Sequence, residues 1–165
     1  MVVRITEMAV TSEGGEVLCA ENLTAALAVC LYDPVRKLAG LAHPLLPTPT
    51  VSVSTGGILS GKYVETAVPE LVAQMLSSGA TRDAMKAVIS GAADDLVYSK
   101  LDPSMAIGVR NTEMACEALA RDGVSVAAVD VGGAKPRNVS LEAATGRVSV
   151  RSMDETYELA TLGAS

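Results

Sequence analysis

Four side chains in this 165-residue chain have the types needed for nucleophilic chemistry at neutral pH: His43, the single histidine, and Cys19, Cys30 and Cys116. A histidine beside a cysteine takes the thiol proton and later returns it to a leaving group, the chemistry used to open amides and esters. Alone in an apolar run such as Leu41-Ala42-His43-Pro44, a histidine is more often a satisfied structural residue. One histidine excludes a His-cluster metal site, no Cys-x-x-Cys spacing occurs, and the adjacent Asp94 and Asp95 read as an exposed pair. No metal and no cofactor are therefore expected. Gly132 and Gly133 could cradle an anion on backbone N–H groups. No P-loop or dinucleotide spacing surrounds them, so a tight turn is the simpler reading. Arg110 and Arg137 read as solvated side chains, partners of carboxylates or part of a protein-binding surface. Asn111 reads as a cap or turn near a helix start.

The elements that must position these groups follow from periodicity. Residues 2–10 and 16–20 read as early strands, separated by Thr11-Ser12-Glu13-Gly14-Gly15. Residues 25–32 and 38–43 form a β-hairpin around Asp33-Pro34, the start of a type I turn. With Pro34 and Val35 as the two central turn residues, Cys30 faces Ala39, Ala28 faces Leu41 and Ala26 faces His43. Directly opposed Cβ atoms lie about 4.5–5.5 Å apart. Cys30, four residues along the strand from Ala26, is then roughly 13 Å away, Cys19 could face the hairpin from an adjoining strand, and Cys116 reads as a small core residue.

Residues 44–61 form a long irregular loop rich in Pro, Gly, Ser and Thr. An apolar stripe at Val64, Ala67, Val68, Leu71, Val72, Met75 and Leu76 predicts a helix closed by Gly79, starting near Val68 or bending there because of Pro69. Residues 85–89 predict a buried strand, and 107–122 a second helix with Met114, Ala115, Ala118 and Leu119 inward. Residues 124–131 predict a further strand, and 139–141 with 148–150 a further hairpin.

Composition limits the partners. With 49% hydrophobic and 19% charged residues, the chain suits one domain over 1–165 with a substantial core. Thirteen Lys+Arg against nineteen Asp+Glu give a net charge of -6, which repels phosphate backbones and acidic headgroups. No Phe or Trp is present to stack on bases. No apolar stretch reaches the roughly 18 residues of a membrane span, and the N-terminus has no basic lead before an apolar run. A cytoplasmic location with reduced thiols is expected, with no nucleic acid bound and no membrane insertion.

Several segments together resemble CheD, a chemotaxis family that deamidates glutamines on methyl-accepting chemoreceptors. They are Ala28-Val29-Cys30-Leu31-Tyr32-Asp33-Pro34 running into Gly40-Leu41-Ala42-His43 and Leu45-Leu46-Pro47, then Lys62-Tyr63-Val64-Glu65-Thr66-Ala67, Ile107-Gly108-Val109-Arg110-Asn111, and Asp130-Val131-Gly132-Gly133 with Arg137. The resemblance covers about residues 2–150. It implies an α/β fold, a layered sandwich of mixed or antiparallel β-sheets with two to three helices packed outside, similar to the catalytic domain of cytotoxic necrotizing factor toxins. It also implies chemoreceptors and a CheC-type phosphatase as partners. The family's nucleophile is the cysteine of a Gly-Ser-Cys triplet, paired with the histidine that matches His43 and supported by an upstream threonine. Counted back from Cys30, the triplet falls on Thr24-Ala25-Ala26, the nucleophile position on Ala26 and the threonine on Ala20. The expectation is a CheD-like chain with impaired deamidation, or a non-catalytic homologue that binds receptors or the phosphatase.

Overall fold

The computed structural model describes residues 1–49, 60–93 and 106–163, so Asp94, Asp95 and part of the expected 44–61 loop lie outside the described residues. Among the described residues nine strands and two helices follow in the order β1 (Met8–Thr11), β2 (Val17–Leu23), β3 (Leu27–Asp33), β4 (Leu38–Ala42), α1 (Val64–Ser77), β5 (Lys86–Gly91), α2 (Ile107–Arg121), β6 (Ser125–Val131), β7 (Arg137–Glu142), β8 (Arg147–Ser152) and β9 (Glu155–Thr161). A 3-10 turn at Ser60–Lys62 leads into α1.

The strands form two sheets. One is five-stranded, in the order β1-β4-β3-β5-β6, and the other four-stranded, in the order β2-β7-β8-β9. The smaller sheet is antiparallel throughout. In the larger one only β5 and β6 run parallel. Parallel neighbours need a crossover, and α2 lies within the segment between them.

β3 lies at the centre and is buried at all seven positions, because each of its faces meets a different layer. Leu27, Val29 and Leu31 pack with Val64, Val68, Leu71 and Met75 of α1 and Ala115 and Leu119 of α2. Ala28, Cys30 and Tyr32 pack on the other face with Leu18 and Ala20 of β2, Val139 and Leu141 of β7 and Val148 and Val150 of β8. Three layers result, helices on sheet on sheet, as the family resemblance implies. Small residues on the sheet-to-sheet face let the sheets approach. Tyr32 fills the remaining space and donates its hydroxyl hydrogen to the Ala143 carbonyl at 2.8 Å, tying the sheets together.

Some elements differ from expectation. The 2–10 strand is confined to Met8–Thr11, while Val2 makes an isolated bridge to Cys19 of the other sheet. Thr6, at φ 71, turns the chain between the two. The first helix starts at Val64 and runs through Pro69. Pro69 and Glu65 are both exposed, so the carbonyl that proline leaves unpaired is open to water. β9 was absent from the expected strands because Glu155, Thr156 and Glu158 make its sequence read as polar. Among the described residues no helix is long and apolar enough to cross a membrane.

Candidate functional site

His43 directly follows β4 and is only 4% exposed. Its backbone is clamped on both sides: its N–H donates to the Glu7 carbonyl at 3.1 Å and its carbonyl accepts from Thr6 N–H at 2.8 Å. Nδ1 lies 3.1 Å from the carbonyl oxygen of Val3. A carbonyl can only accept, so Nδ1 carries the hydrogen and Nε2 keeps its lone pair, the tautomer of a general base. Burial disfavours the charged ring and lowers its pKa, while the Val3 contact opposes that shift. A cleft of about 370 Å³ opens beside the ring, lined by Val2, Val3, Arg4, Ile5, Glu21 and Asn22.

The shift has a measurable consequence. His43 is the only histidine, so one imidazole signal in an NMR titration reports it, and that signal is expected to titrate below 6.5. A depressed folded-state pKa means that folding favours the neutral ring. The stability His43 contributes is then complete above its unfolded-state pKa of about 6.5 and lost as pH falls through the folded value. Urea midpoints of the parent and of His43→Asn should diverge above that pH and converge below it. An imidazole titrating at or above 6.5 would contradict the burial argument.

The hairpin register corrects the sequence-based pairing. Cys30 lies opposite Leu41, Leu31 opposite Gly40 and Tyr32 opposite Ala39. The ladder extends through a Leu27 N–H to Pro44 carbonyl bond of 3.1 Å. Ala28 therefore faces His43, and Ala26 and Cys30 are its two diagonal neighbours, each at a typical separation of about 7–8 Å. The cause is Asp33, whose Oδ1 accepts from the N–H groups of Val35 (2.9 Å) and Arg36 (3.1 Å). Those bonds, with Lys37 at φ 52, make a four-residue loop, Pro34 to Lys37, in place of a two-residue turn. The Asp33 carboxylate also accepts from Thr81 N–H and pairs with Arg36. Burial alone would raise its pKa, but these hydrogen bonds outweigh burial and lower it. The slip is two residues, so parity is kept and Ala26, Ala28 and His43 still share the sheet-to-sheet face.

Ala26 is 3% exposed, and its carbonyl accepts from Ala92 N–H at 2.9 Å. Ala20 sits in β2 opposite Val139, fully buried between the sheets. None of the three cysteines lines the His43 cleft. Cys30 is fully buried opposite Leu41 and Val88, and burial pushes its thiol up to about 12. Cys19, between the buried Leu18 and Ala20, points to the outer face of the small sheet, where it lines a groove with Ser140 and Ser149. Burial, the largest influence, raises its pKa as well. Cys116 is exposed on α2, which corrects its reading as a core residue.

Asn111 is not a cap. It lies inside α2, is fully buried, and donates from Nδ2 to the carbonyls of Ala25 (2.9 Å) and Leu45 (3.0 Å). Its neighbour Arg110 is exposed. Arg137 is a staple: Nη1 donates to the carbonyls of Gly91 (3.0 Å) and Gly132 (2.9 Å), and Nε pairs with Asp130 at 3.3 Å. The hydroxyl of Tyr157 donates to the same Asp130 carboxylate at 2.6 Å. Gly132 and Gly133 both have positive φ, as a tight turn requires. The Gly132 N–H is engaged by the carbonyls of Gly91 and Ala92, so it is not available to an anion. Among the described residues no group of three or more His, Cys, Asp or Glu could hold a metal ion. Val3 was missed from sequence because it acts through a backbone carbonyl, which carries no side-chain signature.

Comparison with known proteins gives this arrangement a family. Residues 45–152 match the profile for CheD chemotactic sensory transduction. That match opens two residues after His43, so the segment carrying Ala20, Ala26 and His43 precedes it. A Thermotoga maritima protein described as chemoreceptor glutamine deamidase CheD is 36% identical over 152 residues, covering 91% of this chain and 90% of its own. A Desulfitobacterium hafniense protein described as a probable chemoreceptor glutamine deamidase CheD is 31% identical over 144 residues, covering 87% and 88%. Among solved structures, the Bacillus licheniformis hypothetical protein YfiH shares the fold at a TM-score of 0.50 and 17% identity; the match covers 76% of this chain and 51%, about half, of that one. By profile, by identity and by coverage, the chain belongs to the CheD family.

Proposed function

We propose that this chain engages the glutamine-bearing cytoplasmic segments of methyl-accepting chemoreceptors, that its own deamidation of glutamine to glutamate is impaired, and that it regulates by occupancy, on the receptor or on a CheC-type phosphatase. Glutamine deamidation by this route needs a thiolate to attack the carboxamide carbon. The imidazolium then protonates the departing nitrogen, ammonia leaves, and water hydrolyses the thioester. The observation that carries the reading is that Cys30, which like position 26 is a diagonal neighbour of His43, is fully buried with its thiol pushed up to about 12, while Cys19 points to the outer face of the small sheet and Cys116 is exposed on α2. The family resemblance assigns the nucleophile to position 26, which in this chain is Ala26. A methyl group has no lone pair with which to attack.

The competing reading is an active deamidase with His43 as acid and base and a different nucleophile. It draws on the orientation of His43, whose Nε2 is left free by the Val3 contact. One experiment separates the two. A receptor cytoplasmic fragment is incubated with this chain and, in parallel, with the Thermotoga maritima relative, then read by intact mass and by co-sedimentation. Binding without the mass change of amide-to-acid conversion is expected. Conversion at a rate near the relative's would establish the competing reading, and failure to bind either a receptor or a CheC fragment would remove the regulatory one.

A further inference from the structure

We propose, resting on the reading above only for where the site lies, that Asn111 is its positioning residue, setting the separation of the two chain segments that flank position 26 and His43. The β3–β4 ladder ends at the bond between Leu27 N–H and the Pro44 carbonyl. One step further on, where the two chains part, the side chain of Asn111 bonds to both of them, to the Ala25 carbonyl at 2.9 Å and the Leu45 carbonyl at 3.0 Å. An amide nitrogen has two hydrogens in a fixed planar fork, so one side chain can span two acceptors and hold them at a set separation. Both partners are carbonyls, so the nitrogen and oxygen of the amide cannot be exchanged.

The brace is anchored in a rigid element. Asn111 is fully buried on α2, one turn before Ala115, which packs into the helix-side core with Ala118 and Leu119. Its Oδ1 is buried with no partner among the described residues, a desolvation cost that an apolar residue at this place would avoid. Ala25 immediately precedes position 26, and Leu45 follows His43 by two residues. The side chain therefore fixes where position 26 stands relative to the imidazole without touching either. It is present in this chain although the position matching the nucleophile is alanine.

The single imidazole of the full chain provides the test. In Asn111→Ala and Asn111→Asp the His43 signal is expected to shift by more than its line width. Its titration should rise toward that of a free histidine as water reaches the ring. Leu119→Ala, a cavity in the same helix with no bond to either flanking segment, should lower Tm and leave the signal in place. Asn111→Ser, which keeps one short donor, carries the test if the Asp variant does not fold. The proposal is overturned if the folded Asn111 variants show the parent's signal and titration, or if Leu119→Ala at equal loss of Tm moves the signal as far. A receptor fragment that neither binds nor is modified would sink the functional reading instead, and would leave the imidazole result standing.

Discussion

Ala26→Cys is expected to leave receptor deamidation several powers of ten below that of an active relative, because on the proposed reading a thiol at that position is necessary and not sufficient. The new sulfur would lie on the sheet-to-sheet face, diagonal to His43 in the β3–β4 register. A position only 3% exposed raises a thiol's pKa. Cys30, two positions beyond Ala28 on the same face, illustrates this with a value of about 12. Ionisation must then come from His43, whose own pKa is lowered by burial, so both partners resist the thiolate–imidazolium state. The family resemblance further places a Gly-Ser pair at Thr24-Ala25 and a threonine at Ala20, and this chain has none of them. The combined Ala20→Thr, Thr24→Gly, Ala25→Ser, Ala26→Cys variant is expected to recover several powers of ten over Ala26→Cys alone, measured by intact mass of a receptor fragment. Full activity from the single change would show that position 26 alone separates this chain from its relatives. No recovery from the combined change would place the loss elsewhere.

Much of the scaffold around this site follows from sequence periodicity, and the departures have identifiable physical causes. Face assignments survived because a strand's side-chain period is two, so a register slip of two residues left Ala26, Ala28, Cys30 and His43 on one face. The register itself depends on Asp33, whose carboxylate binds the N–H groups of Val35 and Arg36. An Asp-Pro pair is compatible with both loop lengths, and only those bonds select the longer one. Asn111 and Arg137 stood out in the sequence, but their roles depend on carbonyls 86 and 46 residues away along the chain. Distances of that kind are set by tertiary structure. The orientation of His43 by Val3 is less legible still, since any residue at position 3 supplies the same carbonyl. Cys116 reads as internal because a cysteine near Met114 on a helix is taken for a small apolar core residue, but α2 turns it outward between Ala115 and Glu117.

Gly91→Ala should cause the largest loss of stability of any change considered, because the residue meets two independent obstacles. It ends β5 at φ +115, a conformation L side chains rarely adopt, and a Cβ there would stand 2.6 Å from the carbonyl oxygen of Ala26. That oxygen is held by Ala92 N–H and cannot retreat without breaking the bond. The Gly91 carbonyl also accepts from Arg137 and Gly132, so movement of residue 91 itself would loosen the staple. Backbone strain of about 1–3 kcal/mol and overpacking of about 1–3 kcal/mol together give about 2–6 kcal/mol, a large fraction of an ordinary domain's 5–15 kcal/mol. Gly79 provides the control, with φ +109 and nothing within 4 Å of its added Cβ. Gly79→Ala should therefore show the strain without the clash, and the difference between the two urea midpoints isolates the contact with Ala26. Where the Gly91 variant stays folded, the His43 imidazole signal should move as well, because the backbone at position 26, diagonal to His43, is displaced. Equal losses for the two variants would mean that the Ala26 backbone yields freely, and that the segment matching the family's nucleophile triplet is not fixed by its neighbours in β5.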